Sequence, residues 1–204
     1  MITSPRAETA TGAGSLKGSV LRGGIEEEWT GNVSGFDEEY ESRMAEAQGR
    51  ARAQGRGDVL EYLSLRASND SVRARAVEWL LDSFMTAAGE LNRAGAGLTL
   101  ARTDSHRFRV GTSTMVGTRL TLSRGLRSLT VEAGWPRAPR DGIVRGGGLA
   151  SARAGHFGER KSDEEFLLVP SGLEEARWLV LDKTGARTEL LEERLRAHVA
   201  RLLK

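Results

Sequence analysis

The chain reads as an α+β protein: an antiparallel β-meander of about six or seven strands, packed by N-terminal and C-terminal helices, behind a disordered N-terminal arm. Three observations predict this. Apolar residues recur every three or four positions between Val72 and Leu91. They then alternate with polar residues, in runs cut by glycine, from Leu98 to Phe157. Helical spacing returns at Leu191, Leu195, His198 and Leu202, with Val199 beside that stripe. A period near 3.6 marks one buried face of a helix, and a period of two marks one buried face of a sheet. Helices at both ends of an antiparallel run point to helices packed on one sheet face.

Residues 1–57 read as a disordered or weakly ordered arm. Thr, Ser, Gly and Ala dominate up to Gly24 without periodicity. Acidic patches follow at Glu26–Glu28 and Asp37–Glu41, around Trp29, Phe36 and Tyr40, and then comes the Gly- and Arg-rich stretch Gln48–Gly57. Such a composition buries too little apolar surface to offset the entropy of ordering it. The sharper alternative makes the acidic–aromatic patch a docking motif, or an internal counter-charge for the basic sheet. Residues 58–204 are expected to form a single domain, large enough to bury a core without staples.

Within that domain, Asp58–Ala67 is expected to be a short helix with Val59, Leu60 and Leu63 on its apolar face and Tyr62 beside them. Asn69-Asp70-Ser71 then reads as the start of a second helix, since short polar side chains can accept free first-turn amide protons. Val72, Ala76, Trp79, Leu80, Phe84, Ala87, Ala88 and Leu91 form its stripe, and Gly95 and Gly97 end it.

The strands come next. Leu98, Leu100, His106, Phe108 and Val110 share one parity, with Arg107 and Arg109 on the other, and Thr103-Asp104-Ser105 reads as a hairpin turn. Val116, Leu120 and Leu122 alternate with Arg119, Thr121 and Ser123. After a turn at Arg124-Gly125, Leu129, Val131, Ala133 and Trp135 alternate with Ser128, Thr130 and Glu132. An antiparallel sheet half covered by helices shows this pattern, and it places Arg107, Arg109 and Arg119 together on the polar face. Pro136 and Pro139 force a loop carrying Arg137, Arg140 and Asp141. Ile143-Val144 and Leu149–Phe157 are read as strand, interrupted by Gly146-Gly147-Gly148. Phe166–Val169 and Trp178–Leu181 complete the sheet around the turn at Pro170-Ser171-Gly172. A further turn at Asp182–Gly185 leads into the last helix.

Charge is the most informative feature for function. Residues 98–161 carry 12 Lys+Arg against 4 Asp+Glu, while each of the three flanking segments carries a net charge of −2. The chain holds 26 Arg and 4 Lys, a bias that makes some of these arginines expected as ordinary solvent-facing strand residues. Without cysteine, disulfides and thiolate metal sites are excluded. No apolar leader and no run approaching the ~20 apolar residues of a membrane helix is visible, so the expectation is a cytoplasmic protein with no membrane partner.

The arginines form the strongest chemical constellation. Guanidinium forks suit phosphates and carboxylates. The expected anion-binding residues are Arg107, Arg109, Arg119, Arg137, Arg140 and Arg145. The leading reading is a non-catalytic binding module whose basic sheet face meets nucleic-acid backbone. The second is an adaptor for an acidic protein, docking through the arm or the sheet. The third is a small enzyme using His106 or His156 as a general base, should these meet near Asp104, Ser113 or Ser151. No cofactor is expected. No two of the three histidines stand at metal-ligand spacing, so no metal is expected. Gly146-Gly147-Gly148 precedes apparent strand rather than helix, which favours a bend over a phosphate loop. The oligomeric state is left open.

Overall fold

The computed structural model describes residues 35–172, 175–182 and 184–204. The described residues form three helices and one seven-stranded antiparallel sheet, the predicted α+β class. The acidic patch Glu26–Trp29 lies outside them.

Helices α1 (Gly35–Ala53) and α2 (Gly57–Arg93) come first. Part of the expected arm is thus helical. Its apolar period is weak, and good helix formers carry it, with Glu39–Arg43 and Glu46–Arg50 pairs one turn apart. The two helices expected between Asp58 and Leu91 are one helix of 37 residues. Asp70 does not cap a new helix. Its carboxylate accepts instead from the Tyr40 hydroxyl at 2.7 Å, from Trp135 Nε1 at 3.0 Å and from Arg73 at 2.7 Å. Tertiary partners have taken the oxygens that a cap would use.

The strands are β1 (Thr99–Val110), β2 (Ser113–Arg124), β3 (Arg127–Trp135), β4 (Ala150–His156), β5 (Glu164–Pro170), β6 (Ala176–Leu181) and β7 (Arg187–Glu189), followed by helix α3 (Glu192–Ala200). Each strand pairs antiparallel with the next in chain order. One sheet face packs Leu120, Leu122, Leu129, Val131, Phe166 and Leu168 against Leu80, Leu81 and Phe84 of α2 and Leu195 and Val199 of α3. Trp79 was expected in this stripe but is 44% exposed, and Val77 and Leu81 are buried on α2 instead. Residues 143–144 are not strand; Val144 packs on the far side of the sheet with Phe108, Met115 and Leu167. β7 lies between the turn at Asp182–Gly185 and the last helix, where no element is expected from the sequence.

β1 is one strand rather than a hairpin. Its register with β2 slips between Thr103 and His106, where Ser105 adopts φ +54°. A bulge shifts every later side chain to the opposite face. Before it, Arg102 faces the helices and binds Glu78 of α2 through Nη1 at 2.6 Å. Beyond it, His106 and Phe108 face away from the helices, paired with Gly117 and Met115, while Arg107 and Arg109 turn to the helix side opposite Val116 and Thr114. Arg107 and Arg109 therefore do not share a face with Arg119, and Phe108 leaves the main core.

Gly117 and Gly134 face each other across β2 and β3. The two backbones meet so closely there that a Cβ on Gly117 would lie 1.9 Å from the Ala133 carbonyl oxygen. Gly146 and Gly147 take φ +70° and +71° in a tight turn that leads into β4, and so form the expected bend.

Candidate anion-binding cleft

Asp70 and its partners form a frame where α1, α2 and the loop after β3 meet. The Arg66 side chain donates from Nε to the Tyr40 hydroxyl at 3.0 Å and from Nη2 to the Arg137 carbonyl at 2.7 Å. The Arg137 guanidinium lies over the Trp135 ring at 3.7 Å and 5.5 Å from the Tyr40 ring centre. Arg73 ties the same region to the start of β4, donating to the Leu149 carbonyl at 2.8 Å. Burial, reinforced by the hydrogen bond and charge of Asp70, raises the Tyr40 pKa, so the phenol stays a neutral donor.

Beside this frame lies a cleft of about 250 Å³. Its lining brings together Arg43 of α1, Arg66 of α2, Arg107 of β1, and Arg137 and Arg140 of the loop, with Glu39 and Asp141 as the carboxylates. Asp141 is buried and accepts the Ala138 amide at 2.9 Å, and Glu39 is ion-paired to Arg43. Three of the six predicted residues, Arg107, Arg137 and Arg140, thus converge. Arg109 is exposed, two residues further along β1. Arg145 lies against the β1–β2 turn, where its guanidinium occupies the space a Cβ on Gly111 would need. Sequence reasoning missed Arg43 and Arg66. Both lie outside the basic stretch, in segments whose net charge is negative, so only recognition of α1 and its packing could have found them.

The far face of the sheet follows another logic. Glu132, only 3% exposed, accepts from His106 Nε2 at 2.6 Å, from Arg119 Nη2 at 3.2 Å and from Arg153 Nε. Burial favours its protonated form, but the donors Arg153, His106 and Arg119 outweigh that and hold the carboxyl below the usual range. Arg119, Glu132, Arg153 and Glu165 stand in register across β2 to β5, a row of alternating sign. Arg119 and Arg153 of this face are thus opposed by a carboxylate of the same molecule.

His106 and His156 do not meet. His106 lies on the far face, and His156 pairs in register with Leu129 on the helix-covered face. Ser113 donates to the Ile143 carbonyl at 2.8 Å, and Asp104 accepts from Thr118 at 2.9 Å. The general-base arrangement considered from the sequence is not assembled around these groups.

His156 instead belongs to a buried chain. Its Nε2 lies 2.9 Å from His198 Nδ1, and His198 Nε2 lies 3.2 Å from Glu164, which also binds Arg194 through Nε at 2.7 Å and Nη2 at 2.9 Å. A carboxylate can only accept, so His198 donates from Nε2 and its Nδ1 accepts from His156. Burial lowers both imidazole pKa values; His198 and Arg201 push His156 further down, and Glu164 opposes the shift at His198 without cancelling it. An unfolded imidazole titrates near pH 6.5, roughly. Below that the unfolded chain takes up protons that the folded chain refuses. Stability is therefore complete above about pH 6.5 and declines as pH falls toward the folded values, by up to about 1.4 kcal/mol per pH unit for each histidine. The midpoint of thermal unfolding should be level above about pH 6.5 and drop between about pH 6.5 and 5. His198→Gln should flatten that drop; a wild-type midpoint unchanged over this window would contradict the assignment.

Comparison with protein-family models, with curated proteins and with solved structures returns no match. Among the described residues, no group of three or more His, Cys, Asp or Glu is placed to hold a metal ion, and no helix is long and apolar enough to cross a membrane.

Proposed function

We propose that this protein is a non-catalytic, cytoplasmic binding module that holds an anionic partner, nucleic-acid backbone first, in the cleft between α1, α2 and the loop after β3. One observation carries the reading: among the described residues, arginines from α1, α2, β1 and the loop after β3 converge on a single cleft. Like charges gathered in reduced dielectric repel one another, and an anion among them relieves that repulsion. Arginine forks match phosphate oxygens in pairs. The interlocked Asp70, Tyr40, Arg66 and Trp135 frame lowers the ordering cost of binding. Trp135 is 4% exposed and lies beneath Arg137, so it offers no open ring for base stacking. This favours contact with phosphates over reading of bases.

The test is titration of labelled single- and double-stranded DNA and RNA at low salt. Affinity should fall as salt rises, with a log–log slope of roughly −0.7 to −0.9 for each phosphate contacted. The double variant Arg107→Ala/Arg140→Ala should reduce both affinity and slope. Absence of binding at low salt, or binding indifferent to salt and to the double variant, overturns the reading. Capture of an acidic protein by a chain silent toward nucleic acid would transfer the cleft to the adaptor reading.

A further inference from the structure

At the other end of β3 from the cleft, we infer a second surface, one that docks on an anionic lipid bilayer. Two adjacent loops form it. Arg124 pairs with Arg127, so β2 and β3 are closed by the two-residue turn Gly125-Leu126. Gly125 takes φ +57°, the conformation that the first position of such a turn demands. Leu126 stands beside it in the turn, 93% exposed. The chain leaving β4 runs alongside. The Phe157 amide donates to the Ser128 carbonyl at 2.9 Å, and Phe157 is 75% exposed. Turns favour small polar residues. A lone exposed apolar residue needs no explanation, but two large ones on neighbouring loops make a patch.

Charge names the occupant. Arg124 and Arg127 flank the turn, Arg160 and Lys161 follow Phe157, and all four are exposed. Arg124 donates to the Leu203 carbonyl at 3.3 Å and Arg127 to the Arg201 carbonyl at 3.2 Å. Carbonyls are uncharged, so these bonds steady the guanidiniums without neutralising them. None of the four takes part in an ion pair among the described residues. The carboxylates of these loops are engaged elsewhere: Glu159 accepts from Arg201 and from the Ser162 hydroxyl, and Asp163 accepts the His156 amide. Apolar side chains flanked by cations match an anionic bilayer surface, the first entering the acyl boundary and the second staying at the headgroups. Other occupants fit less well. A second copy would bring like charges together. Base stacking uses an aromatic face, and Leu126, the more exposed of the pair, has none. The expectation of no membrane partner rests on the lack of a spanning segment, which a surface contact does not need.

The experiment is co-sedimentation of the full chain with vesicles of phosphatidylcholine alone, or of phosphatidylcholine and phosphatidylserine at roughly three to one. At low salt the mixed vesicles should bind the chain about tenfold more tightly or better, and added salt should weaken that binding. Leu126→Ser/Phe157→Ser and Arg160→Ala/Lys161→Ala, all at exposed positions, should each weaken it by roughly tenfold or more. On mixed vesicles carrying brominated acyl chains, Leu126→Trp should be quenched more strongly than the wild-type chain, which reports entry past the headgroups. Arg107→Ala/Arg140→Ala, in the cleft, should bind vesicles as the wild type does. Loss of binding in that variant moves the lipid contact to the cleft and overturns the inference. So does the absence of binding to mixed vesicles at low salt, or binding indifferent to Leu126→Ser/Phe157→Ser. If the chain ignores vesicles but binds a single-stranded oligonucleotide, and that binding is lost in Leu126→Ser/Phe157→Ser, the surface belongs to nucleic acid and the inference fails.

Discussion

Gly117→Ala should destabilise the fold by about 3 kcal/mol or more, at the upper end of what overpacking usually costs. The added methyl would lie 1.9 Å from the Ala133 carbonyl oxygen and 2.6 Å from Gly134 Cα. Both are backbone atoms, so no side-chain rotation can clear the space. β2 and β3, both interior strands of the sheet, would have to separate at this point. Gly155→Ala is the matched control. It too lies in a strand, but the nearest atoms to its Cβ would be Asp163 Oδ1 at 3.9 Å and the Thr130 carbonyl at 4.0 Å. That change should be neutral or slightly stabilising, because alanine loses less backbone entropy than glycine on folding. Urea unfolding of both variants decides the matter: comparable midpoints would show that the close approach of β2 and β3 is not real.

Glu132→Ala should cost about 2–3 kcal/mol. Removing one member of a buried charged cluster leaves the others without a partner, which commonly costs more than this. Here Arg119 and Arg153 keep side chains 43% and 48% exposed, so water can partly replace the lost carboxylate. His106, whose side chain is 16% exposed, loses its acceptor more completely. Glu132→Gln should cost less, since it keeps the shape and one acceptor oxygen. The alanine variant also leaves Arg119 and Arg153 without their carboxylate. On the proposed function, its salt-sensitive affinity for nucleic acid should rise. A cost below about 0.5 kcal/mol, the scale of an ordinary surface substitution, would mean that the cluster is ornamental to stability.

Much of the fold was legible because two periods dominate this sequence. Alternation in β2 and β3 and the spacing of Leu80, Phe84, Ala87 and Ala88 on α2 follow directly from which side must be dry. The bulge in β1 was not legible. It needs no glycine here, since Ser105 itself takes the positive φ, and Thr103-Asp104-Ser105 has the composition of a turn. That one local event reversed the facing of Arg107, Arg109, His106 and Phe108. Asn69-Asp70-Ser71 misled for a related reason: a polar triplet that can start a helix can also serve distant partners from inside one. α1 could have been found. Glu39 and Glu46 each precede an arginine by four residues, the favourable order for a helical ion pair. The cleft itself was only half legible, because net charge counted by segment hides cations that sit among acids and meet only in space.

The length of α2 has a consequence for how the molecule opens. At 1.5 Å per residue, its 37 residues extend roughly 55 Å. Its buried side chains begin with Leu63 and continue only from Val72, and Tyr62 and Leu65 are 60% and 62% exposed. The front third of the helix therefore buries less apolar surface than the part beneath the sheet, and is held chiefly by the hydrogen bonds of Arg66 to Tyr40 and to the Arg137 carbonyl. Fraying there exposes little apolar surface and leaves the cooperative unit standing. The front of α2 and the core beneath the sheet thus answer to separate free energies.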